Sequence, residues 1–135
     1  MKENIIKNKS FAFSVRIVRL YQYLSIEKKE YVLTKQLLRS GTSVGAMIRE
    51  AEHAETKADF KHKMAIAQKE INETIYWLEL LKETDYLTKE EFESINIDAI
   101  EIIKLVTSII KTTRQTLTID HLGLLPNHLP LAIYH

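Results

Sequence analysis

The sequence predicts an all-α protein, an antiparallel up-down-up-down four-helix bundle, and three observations carry that prediction. The first proline is Pro126 and the only glycines ahead of residue 117 are Gly41 and Gly45, so turn and strand punctuation is nearly absent from the main body of the chain. Apolar residues recur in alternating steps of three and four, the spacing of one helix face. Two capping boxes, Thr56-Lys57-Ala58-Asp59 and Thr88-Lys89-Glu90-Glu91, mark where helices begin, each pairing a threonine oxygen with a carboxylate three residues on.

The elements follow in order. Ser10 is read as the cap of helix one, which runs to about residue 25 and turns Phe13, Ile17, Leu20 and Leu24 inward. Helix two spans about residues 27–54 and contributes Leu33, Leu37, Val44, Ile48 and Ala51. Helix three starts at Thr56 and keeps a heptad seam of Phe60, Met64, Ala67, Ile71, Thr74, Leu78 and Leu81. Helix four starts at Thr88, where Leu87 and Phe92 occupy the positions of a hydrophobic staple, and continues the pattern with Phe92, Ile95, Ala99, Ile102, Val106, Ile109 and Thr113. Seams of this kind pack at a shallow crossing angle, and helices of this size are on the order of 40 Å long.

A chain of 135 residues with 45% apolar content supports one domain, here residues 1–116. Residues 117–135 form an atypical apolar tail in which charge nearly vanishes and two prolines appear. His121, His128 and His135 are seven apart, but Pro126 and Pro130 prevent one continuous helical face, so no metal site is read there. The tail is instead expected to dock on its own or a neighbouring bundle.

A second set of apolar residues lies off the inward stripes. Phe11, Val15 and Val18 on helix one, Ile66, Tyr76, Trp77 and Leu80 on helix three, and Ile97, Ile100 and Leu105 on helix four would leave exposed patches on a monomer. Phe11, Val15, Val18, Ile66, Trp77, Leu80, Ile97 and Ile100 are therefore read as oligomer interface.

Cysteine is absent, which excludes a disulfide framework, a thiolate zinc site and a cysteine nucleophile, and suits a reducing cytoplasm. No signal peptide or long uncharged apolar run precedes the tail, so a cytoplasmic protein without a membrane partner is expected. The net charge of +1 conceals an asymmetry: residues 1–50 carry ten Lys and Arg against four Asp and Glu, and residues 51–101 carry six against thirteen. Such halves can attract different partners, attract each other across a subunit interface, or remain as two solvated faces.

Several patterns carry candidate chemistry. Gly41 and Gly45 form a small-xxx-small pair inside helix two, where each glycine costs about 1 kcal/mol relative to alanine, so both are read as sites of close helix packing or of approach to a nucleic-acid backbone. The run lacks a preceding strand and a Gly-Lys-Ser/Thr ending, so it is no phosphate loop. Glu50 and His53 have the Glu-x-x-His spacing of di-iron bundles, yet no second motif exists and both project away from the seam. Lys35, Arg39, Arg49 and His53 share the outer stripe of helix two, and Arg16, Arg19 and Tyr23 share one on helix one. Arg16, Arg19, Lys35, Arg39 and Arg49 are the candidate phosphate-binding residues, the alternative being that they pair with acidic residues of helices three and four. No nucleophile–histidine pair, inward carboxylate pair or cofactor loop is present in the sequence, so neither an enzyme nor a cofactor is expected.

Three stretches carry a family resemblance. Residues 36–51, Gln-Leu-Leu-Arg-Ser-Gly-Thr-Ser-Val-Gly-Ala-Met-Ile-Arg-Glu-Ala, residues 57–67, Lys-Ala-Asp-Phe-Lys-His-Lys-Met-Ala-Ile-Ala, and residues 73–81, Glu-Thr-Ile-Tyr-Trp-Leu-Glu-Leu-Leu, resemble the bacterial four-helix-bundle proteins of the 23S ribosomal RNA intervening-sequence family. That family is related to the accessory variability proteins of diversity-generating retroelements. The resemblance covers about residues 3–116 and not the tail. It implies a ring-like homopentamer and, in the retroelement relatives, a basic ring that binds a reverse transcriptase and nucleic acid. Two features depart from it: the near-neutral net charge, and Met47 where asparagine is usual.

The expectation is thus a non-enzymatic, ring-forming accessory protein that binds RNA or single-stranded DNA through basic outer stripes. The competing reading is an oligomeric scaffold that recruits protein partners and has no nucleic-acid affinity.

Overall fold

The computed structural model describes the backbone of residues 2–121 and the side chains of residues 5–115. Four helices make up the fold: α1 (Lys2–Ile26), α2 (Leu33–Glu52), α3 (Lys57–Glu83) and α4 (Lys89–His121). Each packs on the next in sequence and α1 closes against α4, an up-down-up-down bundle with no strand among the described residues.

The heptad seams form the core as their spacing requires. Phe60, Met64, Ala67, Ile71, Thr74, Leu78 and Leu81 are the buried residues of α3, and Phe92, Ile95, Ala99, Ile102, Val106, Ile109 and Thr113 are all buried on α4. From α1 and α2 come Phe13, Ile17, Leu24, Leu37, Val44, Ile48 and Ala51, with Leu20 and Leu33 partly buried against them. Where two polar side chains enter this core they pair: the Ser40 and Thr74 hydroxyls are hydrogen-bonded at 2.9 Å.

Both threonines cap their helices, and at Thr88 the full reciprocal box forms. The Asp59 amide donates to the Thr56 hydroxyl at 3.0 Å. The Glu91 amide donates to the Thr88 hydroxyl at 3.1 Å while the Thr88 amide donates to the Glu91 carboxylate at 2.8 Å, with Leu87 and Phe92 buried as the staple. Between these helices Asp85 takes φ 69°, and the Tyr86 and Asp85 amides return to the Leu81 and Lys82 carbonyls, a Schellman termination.

Three boundaries differ from the sequence reading. Helix α1 begins at Lys2, so Ser10 is not its cap. It lies buried inside the helix, its hydroxyl donating to the Lys7 carbonyl at 3.1 Å, and Ile6 joins the core one turn earlier. Helix α2 starts at Leu33 rather than near residue 27, because Glu30 acts as a side-chain cap from outside the helix. Its buried carboxylate accepts from the Val32, Leu33 and Thr34 amides at 3.1, 2.9 and 2.7 Å, and Lys29 reverses the chain at φ 54°. Helix α4 runs to His121, past residue 117 where the tail was expected to begin. His128, His135 and the rest of the tail beyond 121 lie outside the described residues.

The two glycines of α2 are not equivalent. A β-carbon on Gly41 would stand 2.8 Å from both γ-carbons of Ile17, whereas on Gly45 it would meet the Ser14 hydroxyl at 3.1 Å and the Ser10 carbonyl oxygen at 3.4 Å. Gly41 is buried against α1, and Gly45 borders a groove of about 250 Å³.

Candidate nucleic-acid interface and subunit surfaces

The expected phosphate-binding cations separate into two groups. Arg16, on the flank of α1 that faces α4, reaches the Asp98 carboxylate at 2.6 Å, the Ser94 carbonyl at 3.1 Å and the Ser94 hydroxyl at 2.9 Å. Arg39, on the flank of α2 that faces α3, pairs with Glu70 at 3.3 Å and with Glu73, whose same oxygen accepts the Trp77 indole N–H at 3.0 Å. Both arginines remain about half exposed, so these are surface pairs that hold neighbouring helices together.

Arg19, Lys35 and Arg49 differ. No carboxylate pairs with Arg19 or Lys35 among the described residues, and both are exposed. The Arg49 guanidinium lies over the Phe11 ring, 5.2 Å from its centroid, a cation–π contact that leaves its charge uncompensated by any acid. Arg39 and Arg49 therefore lean to opposite flanks of α2, toward α3 and α1 respectively, and do not make one uniform stripe.

The unequal charge of the two halves is absorbed in part inside the protomer. Lys7 pairs with Glu52 at 3.2 Å and Lys9 with Glu101 at 2.5 Å, in addition to the arginine pairs, so these cations of the first half meet acids of the second, while Lys63 of α3 pairs in the opposite sense with Glu50 of α2 at 3.2 Å. Glu50 is thereby engaged by a lysine, and His53 is exposed just past the end of α2. Among the described residues no group of three or more histidine, aspartate or glutamate side chains could hold a metal ion, and no helix is long and apolar enough to cross a membrane.

The outward apolar residues also separate. Phe11 (54% exposed), Val15 and Val18 on α1 and Ile97 (66%) and Ile100 on α4 face solvent, as does Tyr76 on α3. Trp77, by contrast, is partly buried against the core, held by Glu73 and in edge contact with the Tyr76 ring at 5.1 Å. Ile66 and Leu80 are half-buried, and Leu105 packs against the core. At 100° per residue these positions sit on the shoulders of their helices, where a neighbouring helix of the same protomer reaches them. An open groove of about 600 Å³ runs between α1 and α4, lined by Val15, Arg16, Arg19, Leu20, Tyr23, Glu90, Glu91, Ser94 and Ile95.

Sequence periodicity overlooked the corner between α1 and α2. Ile26, Tyr31 and Val32 are exposed there, beside Lys28 and Lys29. Residues 27–32 were read as helix, which hid a loop whose shape depends on one carboxylate.

Comparison with known proteins places the chain. A crystal structure of a protein of unknown function from the S23 ribosomal protein family of Bacteroides thetaiotaomicron VPI-5482 is similar, with 61% sequence identity and a TM-score of 0.82 over 82% of this chain and 99% of that chain. No curated protein sequence matches. The model of the 23S rRNA-intervening sequence protein family matches residues 2–108, so the chain belongs to that family.

Proposed function

We propose that the protein is a non-enzymatic cytoplasmic accessory protein that assembles as a ring, with five copies as the expected number, and associates with nucleic acid through phosphate contacts. Its setting is a ribosomal RNA intervening sequence, as the family's description suggests, or a retroelement whose reverse transcriptase is the protein partner. The observation that carries the nucleic-acid reading is that Arg19, Lys35 and Arg49 lie on outer helical faces without a carboxylate partner among the described residues. Cations in that state release counterions from a phosphate backbone, and the resulting binding is weakly dependent on sequence. Arg16 and Arg39 contribute only if phosphate competes with Asp98, Glu70 and Glu73 for them.

The ring reading rests on two separate apolar patches, Phe11, Val15 and Val18 on one helix and Ile97 and Ile100 on another. A contact between unlike patches of successive copies repeats the same rotation, and it makes a ring when that rotation closes on itself and a filament when it does not. Repetition lets weak, nearly neutral protomers act together through avidity.

Fluorescence anisotropy with single-stranded DNA and structured RNA, at low and physiological salt, tests the reading. Binding that falls steeply with salt is expected. Absence of binding by the wild type at either salt overturns it and leaves a scaffold that recruits proteins.

A further inference from the structure

The α1–α2 corner combines features that the mid-helix cations lack. Val32 and Ile26 are 73% and 68% exposed, and Tyr31, in the same turn, is 54% exposed. Lys28, Lys29 and Lys35 fall within the same short stretch, and none pairs with a carboxylate among the described residues. Lys28 Nζ lies 5.9 Å from the centroid of the Tyr23 ring, which is itself exposed. Of the two acids in residues 26–35, Glu30 is buried with both carboxylate oxygens bonded to backbone amides and Glu27 is exposed, while Glu90 and Glu91 of α4 line the groove that Tyr23 also borders.

The same carboxylate gives the corner a fixed shape. Three amides converge on Glu30, the Glu30 amide returns to the Leu24 carbonyl at 3.0 Å, and Lys29 is set in a left-handed turn. Aromatic and aliphatic side chains are therefore displayed on a preorganised frame, which lowers the ordering cost of a partner's arrival. Lys35 belongs both to this corner and to the outer face of α2 that carries Arg49, so the corner continues the basic surface.

We propose that the α1–α2 corner, with Tyr31 as stacking ring and Lys28, Lys29 and Lys35 as phosphate contacts, is a binding platform for single-stranded nucleic acid. The inference rests on the nucleic-acid reading above and supplies its location and strand preference. Unpaired bases expose their faces to a ring, which a duplex does not, and three lysines without a carboxylate partner among the described residues attract a polyanion.

The test uses the full-length protein and short fluorescently labelled oligothymidylate and oligouridylate at low salt, with a duplex of equal length for comparison. Tyr31→Ala is expected to weaken single-strand binding on the order of fivefold or more, and Tyr31→Phe to retain wild-type affinity. Lys28→Ala combined with Lys29→Ala should reduce the logarithmic salt slope by about 1.4. The duplex should bind more weakly than either single strand. If the wild type binds and these variants bind identically to it, the corner is refuted while the nucleic-acid reading stands. If the wild type binds neither oligonucleotide nor duplex, both fall together. Capture by phosphatidylserine vesicles that is lost in Tyr31→Ala, without oligonucleotide binding, would reassign the corner to an anionic membrane surface and overturn the proposal.

Discussion

Gly41 of α2 lies so close to Ile17 of α1 that the atom glycine lacks would stand 2.8 Å from two carbons of the isoleucine. Ile17 is fully buried and branched at Cβ, so it cannot swing aside. Gly41→Ala should therefore lose about 1–2 kcal/mol despite a gain in helix propensity, since overpacking typically costs about 1–3 kcal/mol. Gly45→Ala, facing a hydroxyl that can rotate, should stay within about 0.5 kcal/mol of wild type or gain slightly. Urea denaturation of the two variants checks the contrast, and equal losses would refute it.

Glu30 gives the second expectation. Glu30→Ala removes the buried acceptor of three amides in an otherwise exposed turn and should cost about 2 kcal/mol, the upper range for losing a helix cap. Glu30→Gln keeps one carbonyl oxygen and should lose less. Thermal unfolding followed by circular dichroism orders the three proteins, and a Glu30→Ala midpoint equal to wild type would exclude the capping role.

For assembly, the informative positions are Ile97 and Val15, which are exposed, rather than Trp77, which is not. Ile97→Glu or Val15→Glu should yield monomers with wild-type helicity. Trp77→Glu should lose helicity as well, because the indole packs on the core and its N–H is bonded to Glu73. Size exclusion with light scattering, beside circular dichroism, reads both outcomes; a monomeric wild type at micromolar concentration would remove the assignment altogether.

The Arg39 cluster should contribute little to stability and show it through salt. Arg39→Ala is expected to cost at most about 1 kcal/mol at low ionic strength, a difference that fades as salt is added, because the guanidinium is 49% exposed. Trp77 emission should shift in the variant, since Glu73 then bonds the indole alone.

The seams of α3 and α4 were readable from sequence because period and burial coincide residue for residue, from Phe60 to Leu81 and from Phe92 to Thr113. The caps at Thr56 and Thr88 were readable because their bonds are local. The start of α1 was not, since Ser10 has the chemistry of a cap and the burial of a small residue at a helix crossing, and sequence alone weighs the first more heavily. The α1–α2 loop was hidden for a related reason: residues 27–32 contain neither glycine nor proline, and the loop depends on a buried glutamate and a lysine with positive φ. For the candidate site, sequence located the cations but not their partners. Which arginine meets a carboxylate depends on the flank of the bundle to which each helix turns it, and helical period leaves that open.

Among the described residues, α1 against α4 is the thinnest of the seams between neighbouring helices and joins the segments farthest apart in the chain. The other three can zip from their own short turns, whereas this one must wait until the intervening helices have aligned, after most of the loop-closure entropy has been lost. Its edge is fastened by Lys9 to Glu101 and Arg16 to Asp98. Closure of this seam is therefore expected to come last in folding, and a refolding rate that falls with added salt would report the charged pairs along its edge.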